Sequence, residues 1–179
     1  MALLILLLPL FVYIAVRICL DSPGGIFHLQ QRIGKARTPF TMYKFRSMFR
    51  QESADTTRLT VVGDGRITRW GRMLRKYKLD ELPQLWNVVR GQMRWFGPRP
   101  EQEYYVNELI ARQPSYRTLY AGRPGIISLG VVEYGYASCT EEMARRARYD
   151  KYYLQHRCRG LHCYMLRRTV AIILRGEGQ

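Results

Sequence analysis

Acidic residues are scarce in this 179-residue chain, where 14 Asp and Glu stand against 29 Lys and Arg and leave a formal net charge of +15. Such an excess implies an anionic partner, and nucleic acid, anionic lipid head groups and phosphorylated small substrates all qualify. No RNA- or DNA-binding signature accompanies the charge, so no nucleic acid is expected. Cysteine is also sparse: Cys19, Cys139, Cys158 and Cys163 form no paired framework. That excludes a disulfide-stapled scaffold and fits free thiols in a reducing cytoplasm. His156, Cys158, His162 and Cys163 cluster in sequence, but their spacing matches no standard zinc module. There is no internal repeat and no second domain, and the length suits one domain with a modest core.

The long apolar run is residues 1–20, with Arg17 as its single charge. No basic region precedes it and no small-x-small site follows, which argues for a retained membrane segment over a cleaved signal peptide. Basic residues crowd the downstream flank from Arg32 to Arg50 and place the remainder in the cytoplasm by the positive-inside rule. A straight helix of that length would span about 30 Å, just enough to cross. Pro9, however, is expected to kink it, so a re-entrant hairpin is the favoured form and a spanning helix the alternative.

Asp21-Ser22-Pro23-Gly24-Gly25 ends this helix. Two strand-like runs follow, 26–33 and 40–48, joined by Gly34-Lys35-Ala36-Arg37 as a short hairpin. Alternation puts Phe40, Met42, Lys44 and Arg46 on one face, so Lys44 and Arg46 are expected to act together. Residues 51–65 are polar and aperiodic, a loop by pattern. From Arg66, an apolar stripe of Ile67, Trp70, Met73, Leu74 and Tyr77 predicts an amphipathic helix for the membrane interface or the core. Further helices are expected over 101–112, 115–121, about 139–156 (with Ser138 and Glu141 as a capping box) and 163–175, whose run 170–174 would pack on the domain or dip into lipid.

The chain is organised around Leu79-Asp80-Glu81-Leu82-Pro83-Gln84-Leu85. Leu82, Leu85, Trp86 and Val89 fall at i, i+3, i+4 and i+7, which predicts an amphipathic helix over 81–90 with Asp80 at its N-terminus. There the free backbone N–H groups would keep Asp80 ionised and favour a phosphate beside it. An ordinary helix cap is the plainer alternative for such an aspartate. What weighs against it is the company: Arg75 lies just upstream, prolines restrain Arg99 in Gly97-Pro98-Arg99-Pro100, and Gly122-Arg123-Pro124-Gly125 presents another restrained arginine. Lys44, Arg75, Arg99 and Arg123 around an Asp-Glu pair are what chemistry on a lipid phosphate and a soluble diphosphate would require. One carboxylate can attack phosphorus while the other holds a metal that bridges phosphate oxygens.

Several ordered motifs carry a resemblance: Gln31-Arg32-Ile33-Gly34, Met42-Tyr43-Lys44-Phe45-Arg46-Ser47-Met48, Arg66-Ile67-Thr68-Arg69, Leu79 to Leu85, Gly97-Pro98-Arg99-Pro100 and Arg123-Pro124-Gly125-Ile126. In these the chain resembles the bacterial sugar transferases, the monotopic phosphoglycosyl transferases. The resemblance implies transfer of a phosphosugar from a nucleotide diphosphate sugar, usually a UDP-sugar, to polyprenol phosphate through a covalent aspartyl intermediate, an early membrane step of glycan or exopolysaccharide assembly. It implies Asp80 as nucleophile, Glu81 as Mg²⁺ ligand, and Lys44, Arg75, Arg99 and Arg123 as phosphate-binding groups. Asp150, in Asp150-Lys151-Tyr152-Tyr153, joins them as a further candidate. The family's re-entrant helix breaks at Ser-Pro, where this chain reads Leu8-Pro9, and Gln92, Arg94 and His162 also depart from the family pattern. The expected architecture is α+β and mostly helical. It comprises a membrane-embedded helix over 1–20 and a catalytic domain over 21–179 on the cytoplasmic side of the bacterial inner membrane, with a β-hairpin and interfacial helices around a small core. Expected partners are the nucleotide sugar, polyprenol phosphate, the bilayer and a possible second copy of the chain. The competing class is a non-catalytic basic membrane-surface protein that binds anionic lipid or nucleic acid, with affinity falling as salt rises and indifferent to Asp80.

Overall fold

The computed structural model describes residues 5–50 and 63–178 and is mostly helical with two small sheets, an α+β arrangement. Helix α1, Leu8–Asp21, carries Pro9 in its first turn. Proline is tolerated there because the missing N–H would have had no intrahelical partner. Ile5 and Leu6 are helical as well and Leu7 is a turn, so the helical course is interrupted beside Pro9, next to the expected break. At 14 residues, α1 is about 21 Å long, and no helix among the described residues is long and apolar enough to cross a membrane. Ile14 and Ile18 face inward against Phe45 and Leu74, whereas Leu8, Val12, Tyr13, Val16 and Leu20 are exposed.

The predicted hairpin is present. Strand β1, Phe27–Ile33, pairs antiparallel with β2, Pro39–Phe45, across a 3-10 turn at Lys35–Arg37, in a register that sets His28 opposite Lys44. The second strand stops at Phe45 instead of running to residue 48, although Met48 makes an isolated bridge with Ile67. Arg46 belongs to a different structure from Lys44. Its guanidinium donates to the carbonyls of Ile18, Ser22 and Pro23 at 3.3, 2.6 and 2.5 Å. It thereby satisfies the open carbonyls at the end of α1, so the expectation that Arg46 works beside Lys44 is overturned.

Most of the expected polar loop over 51–65 lies outside the described residues. Helix α2, Arg69–Lys76, is capped by the Thr68 hydroxyl, which accepts from Gly71 N, while Asp21 Oδ2 accepts from Trp70 N at 3.0 Å. A hydroxyl and a carboxylate oxygen satisfy two of the open N–H groups of the first turn, and the negative charge of Asp21 suits the positive end of the helix. Gly71 packs so closely on the Ser47 carbonyl that a β-carbon would clash. This contact locks α2 beside the hairpin.

The helix expected over 81–90 is shorter and starts later. A 3-10 turn, Leu79–Glu81, precedes α3, Gln84–Val89, whose buried residues are Gln84, Leu85 and Asn87. Trp86 and Val89, assigned to the buried stripe, are each 43% exposed. Beyond α3, strand β3, Arg94–Phe96, pairs parallel with β4, Gly125–Ile127. Gly125 lies against the Gly97 backbone with no room for a β-carbon, so the two restrained turns that hold Arg99 and Arg123 run side by side.

The remaining helices are α4 (Glu103–Arg112), a 3-10 helix (Pro114–Tyr120), α5 (Leu129–Tyr134), α6 (Thr140–Gln155) and α7 (Arg159–Arg175). Tyr105, Val106, Leu109 and Ile110 on one side of α4 meet Tyr116, Leu119, Tyr120, Met143 and Ala147 in the largest apolar cluster. The cap of α6 uses Glu142, whose Oε2 accepts from Ser138 N and Oγ at 2.7 Å, in place of the expected Glu141. Helix α7 reaches back to α2, where Gly178 N donates to Lys76 O. Within its apolar run Val170 and Leu174 stay exposed. All four cysteines are exposed free thiols, and His162 stacks on Phe96 at 4.5 Å and pairs with the Tyr153 hydroxyl.

Candidate active site

Helix α2 ends with Lys78 in the left-handed region, φ 54° and ψ 22°, its N–H donating to Arg75 O. That conformation is the usual exit from a helix but favours glycine, and a side chain there costs about 1–2 kcal/mol. The reversal turns Leu79–Glu81 across β2 and buries both carboxylates, each 8% exposed. Asp80 therefore sits in a buried 3-10 turn and not at the N-terminus of a helix, so no helix end holds it ionised.

Glu81 is the anchored member of the pair. Its Oε1 accepts from Arg99 Nη2 at 2.8 Å, Lys44 Nζ at 3.2 Å and the Tyr136 hydroxyl at 3.2 Å. Burial alone would raise its pKa, but Arg99, Lys44 and Lys78 outweigh it and hold the carboxyl well below its ordinary range. Asp80 goes the other way. Burial raises its pKa; Lys44 opposes the rise, neighbouring Glu81 adds to it, and Arg75 and Arg99 temper it. Two adjacent carboxyls are thus made chemically unequal, one a fixed anion and one a more basic group, the separation that lets a pair divide its labour.

Arg99 is held from three directions. Its backbone N–H donates to Asp150 Oδ2 at 3.1 Å, and its guanidinium carbon lies 4.9 Å from the Tyr136 ring centroid. Next to it, Arg32 Nη1 donates to Pro100 O and Glu101 Oε2, while Arg146 grips the other oxygen of Glu101. Burial disfavours charge on Arg99, yet Glu81 and Tyr136 raise its pKa further above the usual arginine value, so it is a permanent cation.

The bacterial sugar transferase family model matches residues 1–176. The chain belongs to the bacterial sugar transferase family. It is 38% identical over 170 residues to the UDP-N-acetylgalactosamine-undecaprenyl-phosphate N-acetylgalactosaminephosphotransferase of Aeromonas hydrophila, covering 95% of this chain and 40% of that protein. With the UDP-glucose:undecaprenyl-phosphate glucose-1-phosphate transferase of Caulobacter vibrioides it shares 37% identity over 169 residues, 93% of this chain and 61% of the relative. The exopolysaccharide production protein PSS of Rhizobium leguminosarum bv. phaseoli is 39% identical over 162 residues, 84% of this chain and 78% of its own length. The chain therefore spans about two-fifths to three-fifths of the first two relatives.

Of the residues singled out from sequence, Lys44, Arg75, Asp80, Glu81 and Arg99 form one electrostatic unit. Arg123 does not join it directly. It is exposed, and among the described residues no hydrogen bond or ion pair links it to the carboxylates, although its carbonyl adjoins Gly97. Asp150 is buried at 4% exposure and takes the Ser128 hydroxyl at 2.8 Å, Gly130 N at 3.0 Å and Arg99 N. Its hydrogen bonds among the described residues are internal, and one of them holds the Arg99 backbone.

Sequence reasoning missed three neighbours. Tyr136 follows Gly135, a residue at φ +91°, and reaches Glu81 across 55 positions of sequence. Lys78 donates to Tyr136, and His28 faces Lys44 with its pKa lowered by burial and then by Lys44, Arg32 and Arg75. Lys78 carried a readable signal, a lysine two residues before the acidic pair; Tyr136 carried none.

The donor set also bears on Mg²⁺. No group of three or more His, Cys, Asp or Glu side chains among the described residues could cage a metal. Mg²⁺, however, commonly takes only one or two carboxylates and completes its octahedron with substrate phosphates and water, a pattern that an ionised Glu81 beside Asp80 fits.

Proposed function

We propose that this chain transfers a phosphosugar from a nucleotide diphosphate sugar, a UDP-sugar by preference, to polyprenol phosphate, giving a polyprenol-diphosphate sugar and a nucleoside monophosphate. The observation that carries the reading is the unequal carboxylate pair, Glu81 fixed as an anion by Arg99 and Lys44 and Asp80 made more basic beside it. The names of the relatives support the substrate classes.

An oxygen of Asp80 attacks the phosphorus that bears the sugar. A phosphorus–oxygen bond forms, the bond to the bridging oxygen breaks, and the nucleoside monophosphate leaves with the electron pair. A phosphate oxygen of the polyprenol phosphate then attacks the same phosphorus and expels the Asp80 carboxylate. Attack by an anion on an anion meets repulsion of about 4 kcal/mol per unit pair at about 4 Å in an effective dielectric of 20. Lys44, Arg75 and Arg99 offset it by neutralising the diphosphate where charge develops. Mg²⁺ held by Glu81 would supply further Lewis-acid stabilisation of the phosphate oxygens.

Membrane attachment belongs to the same reading. The exposed side of α1, with Leu8, Val12, Val16 and Leu20, would lie in the cytoplasmic leaflet of the inner membrane and bring the lipid phosphate to Asp80.

Release of UMP from a panel of UDP-sugars, with and without polyprenol phosphate and with Mg²⁺ or excess EDTA, tests the reading. Turnover should need both the lipid phosphate and the metal. Full activity in EDTA would remove the metal from Glu81; absence of UMP release with every donor, alongside salt-sensitive lipid binding indifferent to Asp80, would replace the transferase with a binding protein.

A further inference from the structure

Lys78 helps to hold Glu81 ionised but makes no ion pair with a carboxylate among the described residues. Lys44 and Arg99 both make ion pairs with Glu81, but Lys78 makes none among the described residues. Its recorded side-chain partner is the neutral Tyr136 hydroxyl, 3.2 Å from Nζ, and the ammonium also lies 4.6 Å from the Tyr136 ring centroid. Arg99 sits over the same ring at 4.9 Å, and the Tyr136 hydroxyl donates onward to Glu81. A phenol and a ring face are enough to park an ammonium, but they are weaker partners than an anionic oxygen.

The backbone gives a second, independent observation. Lys78 occupies the left-handed position that ends α2, where glycine would be relaxed. The strain is local, and the residue that bears it lies two positions before Asp80. Strain of this kind clusters at functional sites, and of the three non-glycine residues that bear it among those described, Ala36 and Arg37 lie in the hairpin turn while Lys78 alone lies beside the acidic pair.

We propose that Lys78 is an additional phosphate-binding residue of this site, parked on Tyr136 at rest and transferred to an oxygen of the incoming diphosphate. The proposal rests on the transferase reading and deepens it, since it names a donor-binding group beyond Lys44, Arg75, Arg99 and Arg123. The exchange is favourable because the ammonium trades a neutral acceptor for a charged one, whereas Lys44 and Arg99 would have to loosen their hold on Glu81. The four-carbon stem and rotatable ammonium of lysine permit the move, and the planar guanidinium of Arg99 suits the fixed role. Tyr136 then keeps its bond to Glu81 and its stack with Arg99, and the two larger influences that hold Glu81 ionised, Arg99 and Lys44, stay in place.

The test is calorimetric binding of inorganic pyrophosphate and of UDP, with Mg²⁺, to the full chain in detergent, read together with UMP release. Lys78→Gly relieves the left-handed strain, so it should fold at least as well as wild type by thermal unfolding. It should nonetheless bind pyrophosphate on the order of ten- to a hundredfold more weakly. Lys78→Met should lose as much, and Lys78→Arg should recover part. Tyr136→Phe should keep pyrophosphate affinity within about threefold, because the bound ammonium no longer uses the phenol. If folded Lys78→Gly and Lys78→Met bind pyrophosphate as wild type does while the wild type turns over, Lys78 is no ligand and only this proposal falls. If Tyr136→Phe loses as much as Lys78→Gly, Lys78 acts through Tyr136 and the proposal is likewise overturned. A wild type that neither binds UDP nor releases UMP overturns the transferase reading itself, and this proposal with it.

Discussion

Replacing Arg99 by Met removes one of the two cations that pair with Glu81 while leaving the backbone anchor to Asp150 in place. The pair is 2.8 Å long, and both side chains are 9% exposed. At an effective dielectric of 20, unit charges at that distance attract by about 6 kcal/mol, most of which is offset by the desolvation of both ions. Removing one partner of a buried pair costs about 3–5 kcal/mol. Lys44 and Tyr136 still hold the same oxygen, so the low end, about 3 kcal/mol, is expected. For a chain of this length that is a fall in Tm of about 6–12 °C. In the Glu81→Gln background the amide leaves no stranded charge, and the same substitution should cost about 1 kcal/mol. The double-mutant cycle, run by thermal or denaturant unfolding in detergent, should thus give a coupling of about 2 kcal/mol. Additivity within about 0.5 kcal/mol would show that Arg99 and Glu81 do not form the pair on which the site is built.

Lys44→Met should move the acid limb of the kcat/KM profile to higher pH. In the proposed mechanism Asp80 reacts as the carboxylate, and the Lys44 charge is the main influence opposing the rise that burial imposes on its pKa; an unmoved or lowered limb would contradict this. Asp150→Ala should unfold about 3 kcal/mol more easily, because Gly130 N and Arg99 N lose a buried acceptor. An unchanged stability with a raised KM would instead return Asp150 to the phosphate ligands. A cysteine at Ile5, with Cys19, Cys139, Cys158 and Cys163 replaced, should react with an impermeant thiol reagent from the cytoplasmic face of vesicles alone. Reaction only from the opposite face would establish a spanning segment.

Local patterns in the sequence led to the parts of this fold that local physics decides. The β-hairpin follows from period-two alternation, with Phe40 and Met42 buried on one face of the second strand, while Phe45 at its end is buried from the other face against α1. Arg75 announced itself through proximity to the acidic pair and Arg99 through its flanking prolines, while Lys44 was picked out by its strand face. The failures share a cause, which is long-range packing. The apolar spacing of Leu82, Leu85, Trp86 and Val89 matched a helix, but Lys78 reverses the chain and Leu79–Glu81 tightens into a 3-10 turn, so the buried face became Gln84, Leu85 and Asn87. Arg46 shares a strand face with Lys44 by periodicity, yet its partners are the carbonyls that end α1, and no sequence pattern advertises a backbone acceptor. Asp150 was singled out by its motif alone, and the bonds to Ser128 and Gly130 that tie it to the Arg99 backbone emerge only once α5 and α6 are packed together.

The measurement that bears most directly on the central claim is the intact mass of the protein after exposure to a UDP-sugar without polyprenol phosphate. Wild type should gain one phosphosugar, mapped to Asp80 by peptide mass spectrometry and discharged when polyprenol phosphate is added. Asp80→Asn, which keeps size and hydrogen bonding but removes the attacking anion, should fold and gain nothing. If Asp80→Asn turns over normally, or if the adduct maps to another residue, Asp80 is not the nucleophile and the division of labour between the two carboxylates is wrong.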